Sequence, residues 1–123
     1  MELATENQQM TKVLTTQEVA ARFNELAQQE KWFEIQDELF AENVKSIEPT
    51  KSSHFENAEG KAAVRKKGED WVKRITAAHR RLTTAPIVAD NHFAVGREVE
   101  ITVQGLGRIE INELMLYEVR EAK

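Results

Sequence analysis

Residues 15–49, TTQEVAARFNELAQQEKWFEIQDELFAENVKSIEP, leave this chain few folds to choose from. Thr15 and Glu18 have capping-box spacing: the threonine hydroxyl can accept from the N–H three residues on, while the glutamate reaches back to the threonine's own N–H. The helix that follows gathers Val19, Phe23, Leu26 and Ala27 on one face. A polar break over residues 28–31 leads into a second helix carrying Trp32, Ile35, Leu39 and Phe40. So short a connection implies two packed, roughly antiparallel helices. Residues 43–48 then alternate, with Val44, Ser46 and Glu48 on one face and Lys45 and Ile47 on the other. Pro49 removes a backbone donor and ends the strand.

Residues 50–57 read as a polar loop. A third helix from Ala58 or Gly60 to about Ile75 carries the stripe Val64, Gly68, Trp71, Ile75. Glycine inside a helix costs about 1 kcal/mol relative to alanine, so another element is expected to approach closely at Gly68. The rest is strand. Residues 81–88 form the first segment, and Ala89-Asp90-Asn91-His92 is turn chemistry. Residues 93–103 alternate, with Phe93, Val95, Val99, Ile101 and Val103 on one face. A Gly105-Leu106-Gly107 reversal precedes residues 108–119, where Ile109, Ile111, Met115, Tyr117 and Val119 share a face. Helices first and a meandering antiparallel sheet after them predict an α+β fold. With 123 residues there is room for one core, so a flexible N-terminal tail over 1–14 and a single domain over 15–123 are expected.

The net charge of −4 argues against nucleic acid and anionic membrane as partners, since both select basic surfaces. Arg65-Lys66-Lys67 is read accordingly as a solvated helix face. The chain contains no cysteine, which excludes disulfides, thiol nucleophiles and thiolate metal sites and fits a reducing, cytoplasmic setting. The first ten residues have no apolar core resembling a secretory signal, and no apolar run approaches the roughly 20 residues of a membrane helix.

The order helix, helix, strand ending in Glu48-Pro49, helix opening with Glu59-Gly60-Lys61-Ala62-Ala63-Val64, then long strands, resembles the SnoaL-like branch of the NTF2-like superfamily. The passages that carry the resemblance are Leu39-Phe40-Ala41-Glu42-Asn43-Val44 running into Ile47-Glu48-Pro49, and Asn112 to Val119, NELMLYEV. The resemblance implies a cone: three helices packed on a strongly curved, mainly antiparallel sheet around a central cavity, often in a homodimer. It also implies a further strand rich in isoleucine, valine and phenylalanine after the last one seen here. This chain has only Arg120-Glu121-Ala122-Lys123 at that point, so either the sequence is a shortened one or the sheet lacks that strand, which would leave an unpaired edge.

Ketosteroid isomerases of this superfamily use an aspartate before proline as general base, with a tyrosine and a protonated aspartate donating to the oxyanion. By motif Glu48 matches the base and Glu113 the protonated acid, while Phe23 stands where the tyrosine would be and has no hydroxyl to donate. That argues against steroid isomerase chemistry but keeps the site. Glu113 is unusual on physical grounds too, because it interrupts the apolar face of Ile111 and Met115. A carboxylate there must be protonated, paired (Arg97 is a candidate partner) or released to solvent by a twist or bulge. His79, placed between the third helix and the sheet, is a further candidate acid or base. Three histidines without ligand spacing, His54, His79 and His92, give no case for metal, and no cofactor is expected. Phe23, Trp71 and Met115 are expected to line the pocket. The functional expectation is a domain binding a small, largely apolar molecule in a central cavity. The alternatives are a lyase or isomerase with Glu48 as base and Glu113 or His79 as acid, and a non-catalytic dimerisation module.

Overall fold

A computed structural model describes residues 2–5, 14–48 and 56–121. Pro49 and His54 lie outside them, as does most of the expected 50–57 loop. In chain order the elements are β1 (Glu2–Thr5), α1 (Thr16–Ala27), α2 (Trp32–Leu39), β2 (Lys45–Ser46), β3 (Ala58–Glu59), α3 (Lys61–Arg74), β4 (Ile75–Thr83), β5 (Ile87–Ala89), β6 (His92–Val103) and β7 (Gly107–Glu121). The capping box forms: Thr15 Oγ1 accepts from the Glu18 N–H at 3.1 Å and Glu18 Oε1 from the Thr15 N–H at 2.9 Å. Gly60 takes φ 92° at the entrance to α3, a value that strains any residue with a Cβ. Its N–H donates to the Val44 carbonyl at 2.7 Å, which ties the start of α3 to the strand that leads to Glu48.

The main sheet runs β1-β7-β6-β4, with β5 also paired to β6, and β2–β3 form a separate two-stranded ribbon. The long β6–β7 hairpin sets the register of the whole face: Phe93 lies opposite Tyr117, Val95 opposite Met115, Arg97 opposite Glu113 and Val99 opposite Ile111. Cross-strand partners point to the same side. The alternation read from the sequence therefore places Arg97 and Glu113 together on the inner face. β4 pairs with the other side of β6 and carries register shifts at Ile75/Ala77 and Ala78/Arg80, irregularities of the kind that bend a strand.

Three expectations change. The sheet begins at Ile75, directly after α3, so His79 is a strand residue rather than part of a connection. Residues 84–86 divide the first expected strand segment into β4 and β5. Glu2–Thr5, expected within a tail, pair in parallel with residues 118–121 of β7. The N-terminal segment thus occupies an edge of β7 over residues 118–121.

The core lies between α1, α2 and the β6–β7 part of the sheet, and its centre is aromatic. Phe23 packs against Phe93 at 5.2 Å, Tyr117 at 4.8 Å and Trp32 at 5.9 Å between ring centroids. Val19, Ile35, Leu39, Val44 and Val95 surround this cluster and are fully or almost fully buried.

Candidate functional site

The inner sheet face continues past the aromatic cluster, but the helices above it do not close down on it. A cleft of about 650 Å³ remains between α2, α3 and strands β4, β6 and β7. Three residues of the stripe read from the sequence are on the cleft wall, Gly68 and Trp71 from α3 and Ile75 from the start of β4. A Cβ on Gly68 would stand 3.1 Å from Phe33 Cε1 and 3.4 Å from Gln36 Nε2, which is the close approach of α2 and α3 that the mid-helix glycine predicted. The sheet contributes Val99, Ile101, Ile111 and Met115, and Glu113 sits among them.

Two of the three expected pocket residues, Trp71 and Met115, line the cleft. Phe23 does not. It is fully buried, because Phe93 and Tyr117 fill the space into which its ring would otherwise open. His79 is not among the wall residues either; it is exposed, and its Nε2 contacts Thr102 Oγ1 at 2.7 Å. The solvated reading of Arg65-Lys66-Lys67 holds for Lys66, which pairs with Asp70 at 3.0 Å in the open. It fails for the other two. Arg65 lies over the Phe33 ring at 4.4 Å and donates to Asp37 at 2.8 Å. Lys67 turns inward, with its side chain only 20% exposed.

Lys67 is what the sequence reading missed. Its ammonium donates to Ser46 Oγ at 2.9 Å and to the carboxylate of Glu48. Val44 and Ser46 are buried and Lys45 and Ile47 exposed, so the alternation of that strand turns Glu48 inward as expected. Glu48 is not itself on the cleft wall, but it is near enough for its charge to act on Glu113. The signal available in the sequence was spacing: Val64, Lys67 and Trp71 fall three and four residues apart, on neighbouring positions of α3.

Glu113 is exposed to water, and it sits among the residues that line the cleft. Burial among Ile111, Met115 and the cleft walls pushes its carboxyl above the ordinary range. The negative charge of Glu48 adds to this, and Arg97 and Lys67 oppose it. Arg97, directly across the hairpin, is committed elsewhere. Its guanidinium donates to Glu30 Oε2 at 3.0 Å, Glu30 Oε1 at 2.9 Å and Thr83 Oγ1 at 2.8 Å, and lies 4.7 Å from the Trp32 ring. Burial alone would raise the Glu30 carboxyl, but bonds from Arg97 and the Trp32 indole and the charge of Arg81 hold it below the usual range. Tyr117 is pushed up, first by burial and then by Glu113, and its hydroxyl donates to the Met115 sulfur at 3.4 Å.

Replacing Glu113 with glutamine is therefore expected to stabilise the protein at neutral pH. The native carboxyl holds its proton to a higher pH than the unfolded one, so the wild type loses stability as pH rises through the unfolded value and up to the native one. Glutamine has no charge to desolvate. The gain, discounted because water reaches the group, is on the order of 1 kcal/mol at pH 7 and vanishes below about pH 4. Urea denaturation at the two pH values measures it, and a loss of stability at pH 7 would show that the carboxylate is paired.

The constellation can therefore hold a protonated donor at Glu113 beside an ion pair, under apolar walls. Among the described residues no cluster of three histidine, aspartate or glutamate side chains is placed to hold a metal ion. No described helix is long and apolar enough to cross a membrane.

Comparison with known proteins agrees with this architecture. The sequence model of the SnoaL-like domain family matches residues 14–123. A crystal structure from Mesorhizobium loti, provisionally designated a SnoaL-like polyketide cyclase with carbohydrate phosphatase as a second designation, superposes with a TM-score of 0.75 at 24% identity. The match covers 87% of this chain and 91% of that one. A comparison with curated proteins finds no match.

Proposed function

The chain belongs to the SnoaL-like domain family, and from that premise we propose that it binds a small, largely apolar molecule in the cleft, with Glu113 as its polar anchor. The observation that carries the reading is an unfilled space of about 650 Å³, within the range of small-molecule sites. Its walls are Trp71, Val99, Ile111 and Met115, around an acid whose burial favours the protonated form. A protonated Glu113 donates one hydrogen bond to a ligand oxygen, and the walls take up the rest of the molecule.

The probe we name is 2-naphthol, a flat apolar ring system with one hydroxyl. Its addition to the labelled protein is expected to shift the indole N–H signals of Trp71 and Trp32, both on the cleft wall. Ile111→Trp, which fills the cleft, is expected to weaken binding by about tenfold or more, the equivalent of roughly 1.4 kcal/mol. Perturbation confined to Leu114 and Leu116 on the other face of β7 would overturn the reading.

A second reading, proton transfer with Glu48 as base and Glu113 as acid, is supported by the electrostatic contact between these two carboxyls. His79 drops out of that scheme because it is exposed on β4 with its ring against Thr102, whereas the charge of Glu48 acts on Glu113. The expected homodimer is supported by the outer sheet face, where Ile87, Ala94 and Leu116 align across β5, β6 and β7 and Leu114 stands beside them. Ile87, Leu114 and Leu116 are each more than half exposed, a patch of the type that marks contact surfaces.

A further inference from the structure

We propose that the cleft takes a carboxylic acid, with Arg81 binding the ligand carboxylate at the far side of an apolar floor from Glu113. The inference rests on the cleft being a small-molecule site and adds the chemical class of what enters it. Across the sheet Arg81 lies opposite Val99 and Val99 opposite Ile111, and Thr83, Arg97 and Glu113 form the next such row. Cross-strand partners share a face, and Arg81, Val99, Arg97, Ile111 and Glu113 all line the cleft. Arg81 and Glu113 therefore stand at diagonal corners of one patch of sheet, with Val99 and Ile111 as the apolar surface beside the diagonal. Two strand spacings across and two residues along put these corners about 10–12 Å apart. That is the length of a two-ring molecule with a polar group at each end.

What sets Arg81 apart from Arg97 is that its donors are unused. Glu30 Oε1 already accepts from Arg97 Nη2 at 2.9 Å and from the Trp32 indole at 3.1 Å, and Oε2 accepts from Arg97 Nη1 at 3.0 Å. Arg81 reaches the same carboxylate only at 3.9 Å from Nε to Oε1, beyond hydrogen-bonding distance. No acceptor among the described residues takes one of its N–H groups. Arg80, facing the other side of β4, has its own partner in Glu98 at 3.6 Å. Two arginines thus share one glutamate at this end of the cleft, which leaves one positive charge and one planar fork of donors. That fork matches a carboxylate in two parallel hydrogen bonds. Glu34, exposed on the α2 wall, is the other charge nearby, and it disfavours a dianion such as a phosphate ester more than a monoanion.

The probe is 6-hydroxy-2-naphthoate, which is 2-naphthol with a carboxylate added at the opposite end of the rings. By isothermal titration calorimetry at pH 7 it is expected to bind about fivefold more tightly than 2-naphthol, the upper end for an ion pair whose arginine is 49% exposed. Its methyl ester, uncharged but no smaller, is expected to lose that advantage. Arg81→Met is expected to abolish the preference for the acid over 2-naphthol, and Arg81→Lys, with the charge but not the fork, to keep part of it. The ratio of the two affinities is what is read, so a general change in the cleft cancels. A preference that survives Arg81→Met would overturn the role of Arg81. The ester comparison needs no variant and decides even if Arg81→Met fails to fold: an ester that binds as well as the acid refutes the proposal. Cleft binding of 2-naphthol with no gain from the carboxylate would remove this inference alone, whereas binding of neither compound would remove the small-molecule reading and this inference with it. Tighter binding of 2-naphthyl phosphate than of the naphthoate would overturn the carboxylate as the ligand class.

Discussion

Phe23→Ala is expected to lower stability by about 3–5 kcal/mol, the usual cost of emptying a fully buried aromatic site. Three rings close on Phe23: Phe93 and Trp32 at edge-to-face angles of 66° and 72°, and Tyr117 tilted at 54°. Each such pair contributes roughly 0.5–1.5 kcal/mol beyond the area it buries. The rings come from α1, α2, β6 and β7, so the space left behind cannot be refilled by one side chain changing rotamer. Against a total of about 5–15 kcal/mol for a domain, the loss is a large fraction. It should appear as a fall in melting temperature of roughly 15 °C, from about 4 °C per kcal/mol for a chain of this size. The same substitution on a cavity wall would cost far less. A fall of less than about 5 °C would mean that Phe23 faces open space and that the interior is hollow on the α1 side as well.

That contrast explains what could be read from the sequence. Periodicity is a property of local backbone geometry, and where it was strong the structure agrees. α1 buries Val19, Phe23, Leu26 and Ala27, the segment leading to Glu48 buries Val44 and Ser46, and β7 turns Ile111, Glu113, Met115 and Tyr117 to one side. The odd carboxyl on an apolar strand face is the residue that the structure sets among the cleft-lining side chains, Glu113. A stripe shows that residues face inward but not whether inward means core or cavity, since that depends on the size of side chains arriving from elsewhere. Phe23 and Trp71 had the same inward-facing pattern. Phe23 met Phe93 and Tyr117, whereas Trp71 met a space that Gly68, Val99 and Ile101 are too small to fill. Lys67 was hidden for a related reason. A lysine beside two other basic residues looks solvated until the fold brings Ser46 and Glu48, 21 and 19 residues away in the chain, to its ammonium.

Arg97→Met is the other substitution expected to have a large effect, about 2–3 kcal/mol at pH 7. Arg97 is only 13% exposed, and three of its contacts go to oxygen atoms within hydrogen-bonding distance, two of them on the Glu30 carboxylate. Hydrogen bonds involving charged groups are worth roughly 1.5–3 kcal/mol each at best. Glu30 is a third exposed and keeps the Trp32 indole at 3.1 Å and Arg81 at 3.9 Å, so the cost stays below that of stranding a fully buried charge. Methionine retains the packing against Trp32, which separates loss of charge from loss of volume. The sign of the pH dependence follows from Glu30. Its native carboxyl lies below the ordinary range, so its contribution is present above the unfolded value, about pH 4.5, and is lost as acid protonates the native group. Glu113 adds in the same direction, because it loses the cation opposite it and is pushed further up, which penalises the variant only where the unfolded carboxyl is ionised. The difference between wild type and Arg97→Met in urea denaturation should therefore be full at pH 7 and shrink steadily below pH 4.5. A difference that stays constant across that range would mean that Arg97 acts through packing on Trp32, and that the cleft carboxyls do not feel its charge.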